Sequence, residues 1–273
     1  MSQVVVIGGF DDIRSPQVRF LEEASKLGNV HVLLWADHAL EKTNGTPPKF
    51  SQEERQYILQ AIRYVDQVSV VDRRIDLGQI PEVDNLAVAT WVVKEGEDTP
   101  HKRSFCQARG INLRIIKKVD LTGFPIHQPS KVRQTNQRKK VIVTGCFDWL
   151  HSGHVRFFEE VSGLGDLYVV VGHDANVRLL KGEGHPFFPQ DERRYMVQAI
   201  RYVWQALISS GWGWMDAEPE IDRLRPDIYA VNEDGDKPEK REFCTQRRIE
   251  YVVLKRLPKP GLQPRSSTDL RGF

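Results

Sequence analysis

The sequence is short of several things that would decide its class. Three of its 273 residues are cysteine (Cys106, Cys146 and Cys244), and they lie far apart. That excludes a disulfide framework and a cysteine metal site, and an odd, sparse set suits a reducing compartment. Neither sign of charge is in excess. Lys and Arg number 39 and Asp and Glu 37, a formal net charge of +2, so no broad field attracts nucleic acid or a membrane surface, although local basic clusters can still hold phosphates. No apolar run approaches the roughly 20 residues of a spanning helix. The opening Met1-Ser2-Gln3-Val4-Val5-Val6-Ile7-Gly8 lacks a basic start and a cleavage site, so it reads as a buried strand and not as a signal peptide. These absences predict a cytoplasmic protein with no nucleic-acid partner and no membrane span. Its length suits two domains.

What is present is internal repetition. Gly8-Gly9-Phe10-Asp11 with Val18-Arg19-Phe20-Leu21-Glu22-Glu23 aligns with Gly145-Cys146-Phe147-Asp148 and Val155-Arg156-Phe157-Phe158-Glu159-Glu160. Farther on, Gln52-Glu53-Glu54-Arg55 and Ala61-Ile62-Arg63-Tyr64-Val65 align with Gln190-Asp191-Glu192-Arg193 and Ala199-Ile200-Arg201-Tyr202-Val203. A register held over so much chain marks a duplication. In each copy a short apolar run (residues 4–7 and 141–143) ends in glycine, as a fully buried strand does. Helical spacing follows over 17–27 and 154–164, a second buried strand over 30–35 and 167–171, and a second helix over 52–65 and 190–204. Strand and helix in alternation predict right-handed crossovers and a mostly parallel sheet, an open α/β fold whose ligands lie beyond the carboxyl ends of the strands. The expected organisation is a first domain over 1–118, a linker over 119–138 rich in Pro, Gln, Ser and basic residues, and a second domain over 139–273.

The chemically pointed segment is Thr144-Gly145-Cys146-Phe147-Asp148, followed by His151-Ser152-Gly153-His154 at a helix start. Gly145 suits a close approach of backbone. Two histidines three residues apart sit where free N–H groups and the helix dipole favour an anion. Gly153 leaves room for a phosphate to approach, and Asp148 either caps the helix or orients the loop. Cys146 is read as packing in the turn, not as a nucleophile.

Gly-x-Phe-Asp-x-x-His-x-Gly-His resembles the signature of the cytidylyltransferase-like nucleotidyltransferases, and residues 139–273 are similar to that family throughout. Leu180-Lys181-Gly182, Asp191-Glu192-Arg193 and Ser266-Ser267-Thr268-Asp269-Leu270 resemble its lysine loop, its Glu-Arg helix and its closing motif. The resemblance implies two tandem Rossmann-like domains. It also implies attack by a substrate phosphate on the α-phosphorus of a nucleoside triphosphate, with loss of pyrophosphate. His151, His154 and Lys181 would then stabilise the transferring phosphate, and Arg193 would hold the outer phosphates or order the loop. Ser266, Ser267 and Thr268 would bind the triphosphate at a helix N-terminus, with Thr144, Gly145, Cys146, Phe147, Asp148, Gly153 and Asn232 completing the nucleotide site. Mg²⁺ would arrive with the triphosphate and not in a protein cage. Bland readings stand beside these: Lys181 as a solvated lysine, Arg193 paired with Asp191 or Glu192, and the serines as a plain cap. The proline-rich 257–265 is longer than the family's segment, which leaves Arg256, Lys259 and Arg265 as rival basic groups.

The tandem layout resembles ethanolamine-phosphate cytidylyltransferases. Copy one carries Arg14, Pro16 and Gln17 where copy two has His151, Gly153 and His154, so it is expected to be catalytically silent and to serve as an intramolecular pseudo-dimer partner, with a homo-oligomer as a further option. Trp212, in a loop where choline- and ethanolamine-phosphate enzymes keep a tryptophan, and Asp174 are acceptor-binding candidates, the Trp through a cation–π face. CTP is favoured over ATP, although residues 144–194 resemble adenylyltransferases that make ADP-heptose equally closely. The acceptor would be a small phosphorylated alcohol or sugar, and a non-catalytic nucleotide-binding regulatory protein is the further alternative.

Overall fold

The computed structural model describes residues 2–72, 76–83, 88–127, 138–267 and 270. The chain divides into two compact units, Met1–Gly123 and Phe124–Phe273. Unit 1 contains β1 (Gln3–Gly8), α1 (Ser15–Ser25), β2 (Asn29–Trp35), α2 (Asp37–Asn44), α3 (Gln52–Ala61), β3 (Gln67–Val71), β4 (Thr90–Lys94), α4 (Pro100–Arg109) and β5 (Asn112–Ile116). Unit 2 contains β6 (Lys140–Gly145), α5 (Ser152–Ser162), β7 (Asp166–Val171), α6 (Asp174–Lys181), α7 (Gln190–Gln198), β8 (Val203–Ile208), α8 (Glu218–Leu224), β9 (Ile228–Asn232), α9 (Pro238–Arg247) and β10 (Glu250–Leu254). Each unit is a five-stranded, all-parallel sheet flanked by helices, an α/β Rossmann-like fold.

The central strands form because Val4–Val6 and Val141–Val143 offer β-branched side chains that suit a pleated surface and are buried on both faces. The strand orders are β3-β2-β1-β4-β5 and β10-β9-β6-β7-β8, the same topology twice. In unit 2 the chain winds from β6 out to β8 and then crosses to β9, so the order reverses between β6 and β9. Their carboxyl ends, Gly145 and Asn232, flank the crevice that such a reversal opens.

The two sheets are covered differently after their third strand. In unit 2, α8 and the turn before it lay Met215, Ala217 and Ile221 on Ile142, Val170 and Tyr229. In unit 1 the described residues between β3 and β4 contain no helix, and Ile80, Val83 and Val88 are the side chains that pack on Val5, Leu33 and Trp35. Composition groups residues 119–138 as one extended linker, but the described part is anchored. The Asp120 carbonyl accepts from Arg19 at 2.8 Å. The Phe124 carbonyl accepts from Arg194 at 3.0 Å, and the Phe124 ring lies 5.8 Å from that of Tyr195. Residues 128–137 lie outside the described ones.

Candidate active site

The turn after β6 is shaped by its own aromatic ring. Phe147 has φ +51°, and a Cβ on Gly145 would come within 2.8 Å of the Phe147 ring. Unit 1 repeats this, with Phe10 at φ +48° and its ring 3.1 Å from the position of a Gly8 Cβ. Packing inside the turn therefore favours a bare residue at Gly145. Asp148 orients the loop. Its Oδ1 accepts the Phe187 and Phe188 amides at 2.7 and 3.1 Å, and Oδ2 lies 3.2 Å from His185 Nδ1. Asp11 accepts the Lys49 and Phe50 amides in the same manner.

Arg193 takes the second of its two expected roles, ordering the loop, and not the first, holding the outer phosphates. It is 1% exposed, and its guanidinium donates to the carbonyls of Phe188 (2.9 Å), Cys146 (2.6 Å) and Gly172 (2.7 Å) and to Asp174 Oδ1 (2.8 Å). A group with its fork committed to four protein acceptors does not hold β- and γ-phosphates, and its pairing partner is Asp174, not Asp191 or Glu192. Arg55 makes the corresponding set with Phe50, Gly9, Trp35 and Asp37. Asp174 belongs to this scaffold too, through its Oδ1. Thr144 is likewise engaged, its hydroxyl 2.8 Å from that of Tyr229.

The imidazoles converge. His151 is the N-cap of α5: its Nδ1 accepts the Gly153 amide at 3.1 Å, which assigns the ring proton to Nε2. The His151 and His154 rings stack at 3.9 Å between centroids, 29° from parallel, and Phe147 meets His154 edge-on at 5.3 Å. Burial first, then the positive neighbours His151, Arg256 and Lys181, hold the His154 pKa well below its ordinary 6.5, against a backbone hydrogen bond at Trp149. His154 is neutral at neutral pH, so it acts as a polar N–H group and not as a cation. Gly153 is bare because a Cβ there would lie 2.9 Å from the His151 ring and 3.4 Å from the Arg265 carbonyl. The close neighbour it admits is therefore the protein's own ring.

Two cations face this pair. Lys181, the exposed last residue of α6, acts electrostatically on His154 and on the Cys146 thiol. That thiol is nonetheless pushed up, burial outweighing Lys181 and Arg193, so it stays protonated. Arg256 is the second cation. Its Nη1 pairs with Asp234 and its Nη2 donates to the Arg265 carbonyl at 3.1 Å. Lys259 instead pairs with Glu159 at 2.8 Å. Gly153, Asn232, Lys255, Arg256 and Ser266 line a cavity of about 180 Å³ beside the turn. Ser267 Oγ donates to the Trp149 carbonyl at 3.3 Å, tying the closing segment to the signature loop. Thr268 lies outside the described residues. Sequence reasoning left Arg256 unresolved, set Asn232-Glu233-Asp234 at a strand end near the base without foreseeing the pairing of Asp234 with Arg256, and missed His185, for which only Gly184-His185, next to the lysine loop, gave a signal.

Trp212 is 64% exposed on a rigid loop. Buried Asn176 clamps Gly213 through both its amide atoms (3.0 and 2.8 Å), and His173 Nε2 lies 2.9 Å from the Gly211 carbonyl while its ring meets Trp212 edge-on at 4.8 Å.

Residues 142–273 match the family model described as cytidylyltransferase-like. An FAD synthase of Ferroglobus placidus is 37% identical over 120 residues, 43% of this chain and 75% of that protein. The chain belongs to the cytidylyltransferase-like family. Within that family it is also 30% identical to the bifunctional protein HldE of Campylobacter concisus, over 58% of this chain and 33% of that one. The lipopolysaccharide core biosynthesis protein of Thermoplasma volcanium, a solved structure, aligns at a TM-score of 0.38 with 25% identity, over 43% of this chain and 96% of that one. This member of the cytidylyltransferase-like family is a nucleotidyltransferase-type enzyme. None of its helices, among the described residues, is long and apolar enough to cross a membrane.

Proposed function

We propose that unit 2 transfers a nucleoside monophosphate from its triphosphate to the phosphate of a small acceptor. An acceptor phosphate oxygen bonds to the α-phosphorus while the bond from that phosphorus to the bridging oxygen breaks, and the electron pair leaves with pyrophosphate. The observation that carries this reading is the stacked, desolvated His151–His154 pair at a helix start, with Lys181 and Arg256 as its cationic neighbours. The imidazoles can direct N–H groups at charge that grows as phosphorus becomes five-coordinate, and the two cations offset charge on the outer and incoming phosphates. Ser266, beside Arg256 in the lining cavity, extends the phosphate cradle.

Among the described residues no three His, Cys, Asp or Glu side chains group as a metal site. A donor set of imidazoles, cations and hydroxyls suits phosphates, and Mg²⁺ would therefore be held by phosphate oxygens and water, where it supplies charge neutralisation.

For the nucleotide we put ATP first. FAD contains an adenylyl unit joined to a flavin phosphate, and a protein named FAD synthase is 37% identical to this chain. CTP is the second reading, supported by the exposed Trp212, which offers a face to a cationic phosphorylated alcohol such as phosphocholine or to a planar acceptor. The test is pyrophosphate release from ATP and from CTP with FMN, phosphocholine, phosphoethanolamine and sugar phosphates. One ATP-dependent acceptor is expected, with His154→Ala slowing turnover roughly a hundred- to a thousand-fold. Faster release from CTP would put the second reading first. No release from either, with nucleotide binding by His154→Ala equal to the parent's, would overturn the proposal.

A further inference from the structure

Unit 1 has its own cavity, and its chemistry differs from that of the site in unit 2. It is about 670 Å³ and opens at the carboxyl edge of the sheet, where Gly8 and Gly9 follow β1 and Gly96 and Glu97 follow β4. That edge is where open α/β sheets receive ligands, and the volume falls within the ~300–1,000 Å³ of small-molecule sites. The walls are apolar and aromatic, formed by Ile7, Leu40, Trp35 and Trp91. Among the described residues of the β3–β4 connection, no helix like α8 covers this face.

Among the described lining residues no lysine or arginine is free to receive a phosphate. Lys102 is the one lysine or arginine among the described lining residues, and its ammonium already donates to the Glu97 carbonyl at 2.6 Å and sits 5.4 Å over the Trp91 ring. Arg14 pairs with Asp12 at 2.8 Å, and Arg55 is committed to its four acceptors. Pro16, in the first turn of α1, has no N–H to offer an anion. At the rim the exposed carboxylate of Asp76 repels one, while that of Glu97 is partly offset by Lys94 at 4.0 Å. The rim also carries Asn44 and Gln79, whose carboxamides make no side-chain hydrogen bond among the described residues. Each offers both donor and acceptor groups, the complement of the polar edge of a neutral heterocycle.

We propose that unit 1 binds an uncharged, phosphate-free heterocycle, a nucleoside in class, in this cavity, with its ring against the apolar walls and its polar edge on Asn44 and Gln79. The cavity is then a ligand-sensing site without transfer chemistry.

The test is calorimetric titration of the full-length protein, with ATP present throughout, with adenosine, guanosine, cytidine and uridine and with their 5′-monophosphates. One nucleoside is expected to bind, and its monophosphate at least about tenfold more weakly because of the rim carboxylates. Thr43→Trp places an indole at the mouth from an exposed helical position, and Gly96→Leu adds a side chain where no atom lies within 4 Å of its Cβ. Each should weaken nucleoside binding at least about tenfold while thermal stability and pyrophosphate release stay those of the parent. The inference is overturned if no nucleoside binds at millimolar concentration. It is equally overturned if both variants bind as the parent does, or if a monophosphate binds as tightly as its nucleoside. The binding readouts do not require unit 2 to be active.

Discussion

Replacing Arg193 by lysine separates the two roles an arginine can have beside a triphosphate. In the ligand-free protein the guanidinium satisfies three carbonyls and the Asp174 carboxylate from one planar fork. A lysine ammonium on a narrower stem reaches at most two acceptors that lie on different loops. Two buried acceptors then lose partners, at about 1.5–3 kcal/mol each for bonds to a charged donor. Arg193→Lys should therefore lower the stability of unit 2 by about 3–5 kcal/mol, comparable to breaking a buried ion pair. The assay is urea unfolding of the ligand-free chain, with Arg55→Lys as the matched substitution in unit 1, and hydrogen exchange at Val141–Val143 and Val4–Val6 assigns the loss to the right unit. The scaffold reasoning requires each substitution to loosen its own sheet without nucleotide present. It is refuted if Arg193→Lys leaves ligand-free unfolding within about 0.5 kcal/mol of the parent while weakening nucleotide binding, for that is the behaviour of a phosphate ligand.

Three further outcomes follow from the site. The folded-state pKa of His154 lies below its unfolded value, so the unfolded chain binds the extra proton; stability is full above about pH 6.5 and falls as pH drops below it, and His154→Gln should flatten that fall in a pH series of unfolding curves. His31 in unit 1 is also lowered by burial and contributes a decline of the same sign, separable with His31→Asn. Arg256→Gln should reduce kcat/KM about 10- to 100-fold by removing a cation beside His154, and initial rates that match the parent's would disprove its place in the site. Cys146→Ser should keep turnover within about threefold, because a protonated thiol pushed up by burial is no nucleophile; loss of activity with iodoacetamide-protected Cys106 and Cys244 would show otherwise.

The sheet topology was legible because its signal is redundant. Buried β-branched runs, glycines at strand ends and helical spacing all repeat, and each repeat imposes the same crossover constraint. The imidazole pair was legible from a spacing of three residues at a helix start. The role of Arg193 was hidden because a charged side chain in a signature helix reads alike whether its acceptors are carbonyls or phosphates. Its partners, Cys146, Gly172, Asp174 and Phe188, are scattered over four stretches of sequence and meet only once the loops fold. Arg256 was hidden for a related reason. Three cations within ten residues of a proline-rich segment are equivalent in one dimension, and Glu159 and Asp234 choose among them only in space.

A clue to Arg193 did lie in the chain itself. Arg55 occupies the matching position in a unit that has lost both imidazoles, so whatever keeps an arginine there cannot depend on them. The same logic sorts the rest of the turn. Gly8 with Phe10, Asp11 with the Lys49–Phe50 amides and Arg55 with Asp37 persist in unit 1, as do their counterparts in unit 2. They hold the strand-to-helix turn in shape. Arg14, Pro16 and Gln17 stand where unit 2 has His151, Gly153 and His154, the residues of the proposed phosphate site. Scaffold and chemistry are thus carried by different residues of one short motif, and a matching Gly-x-Phe-Asp alone identifies the turn, whereas the two histidines, Lys181 and Arg256 identify the reaction it can host.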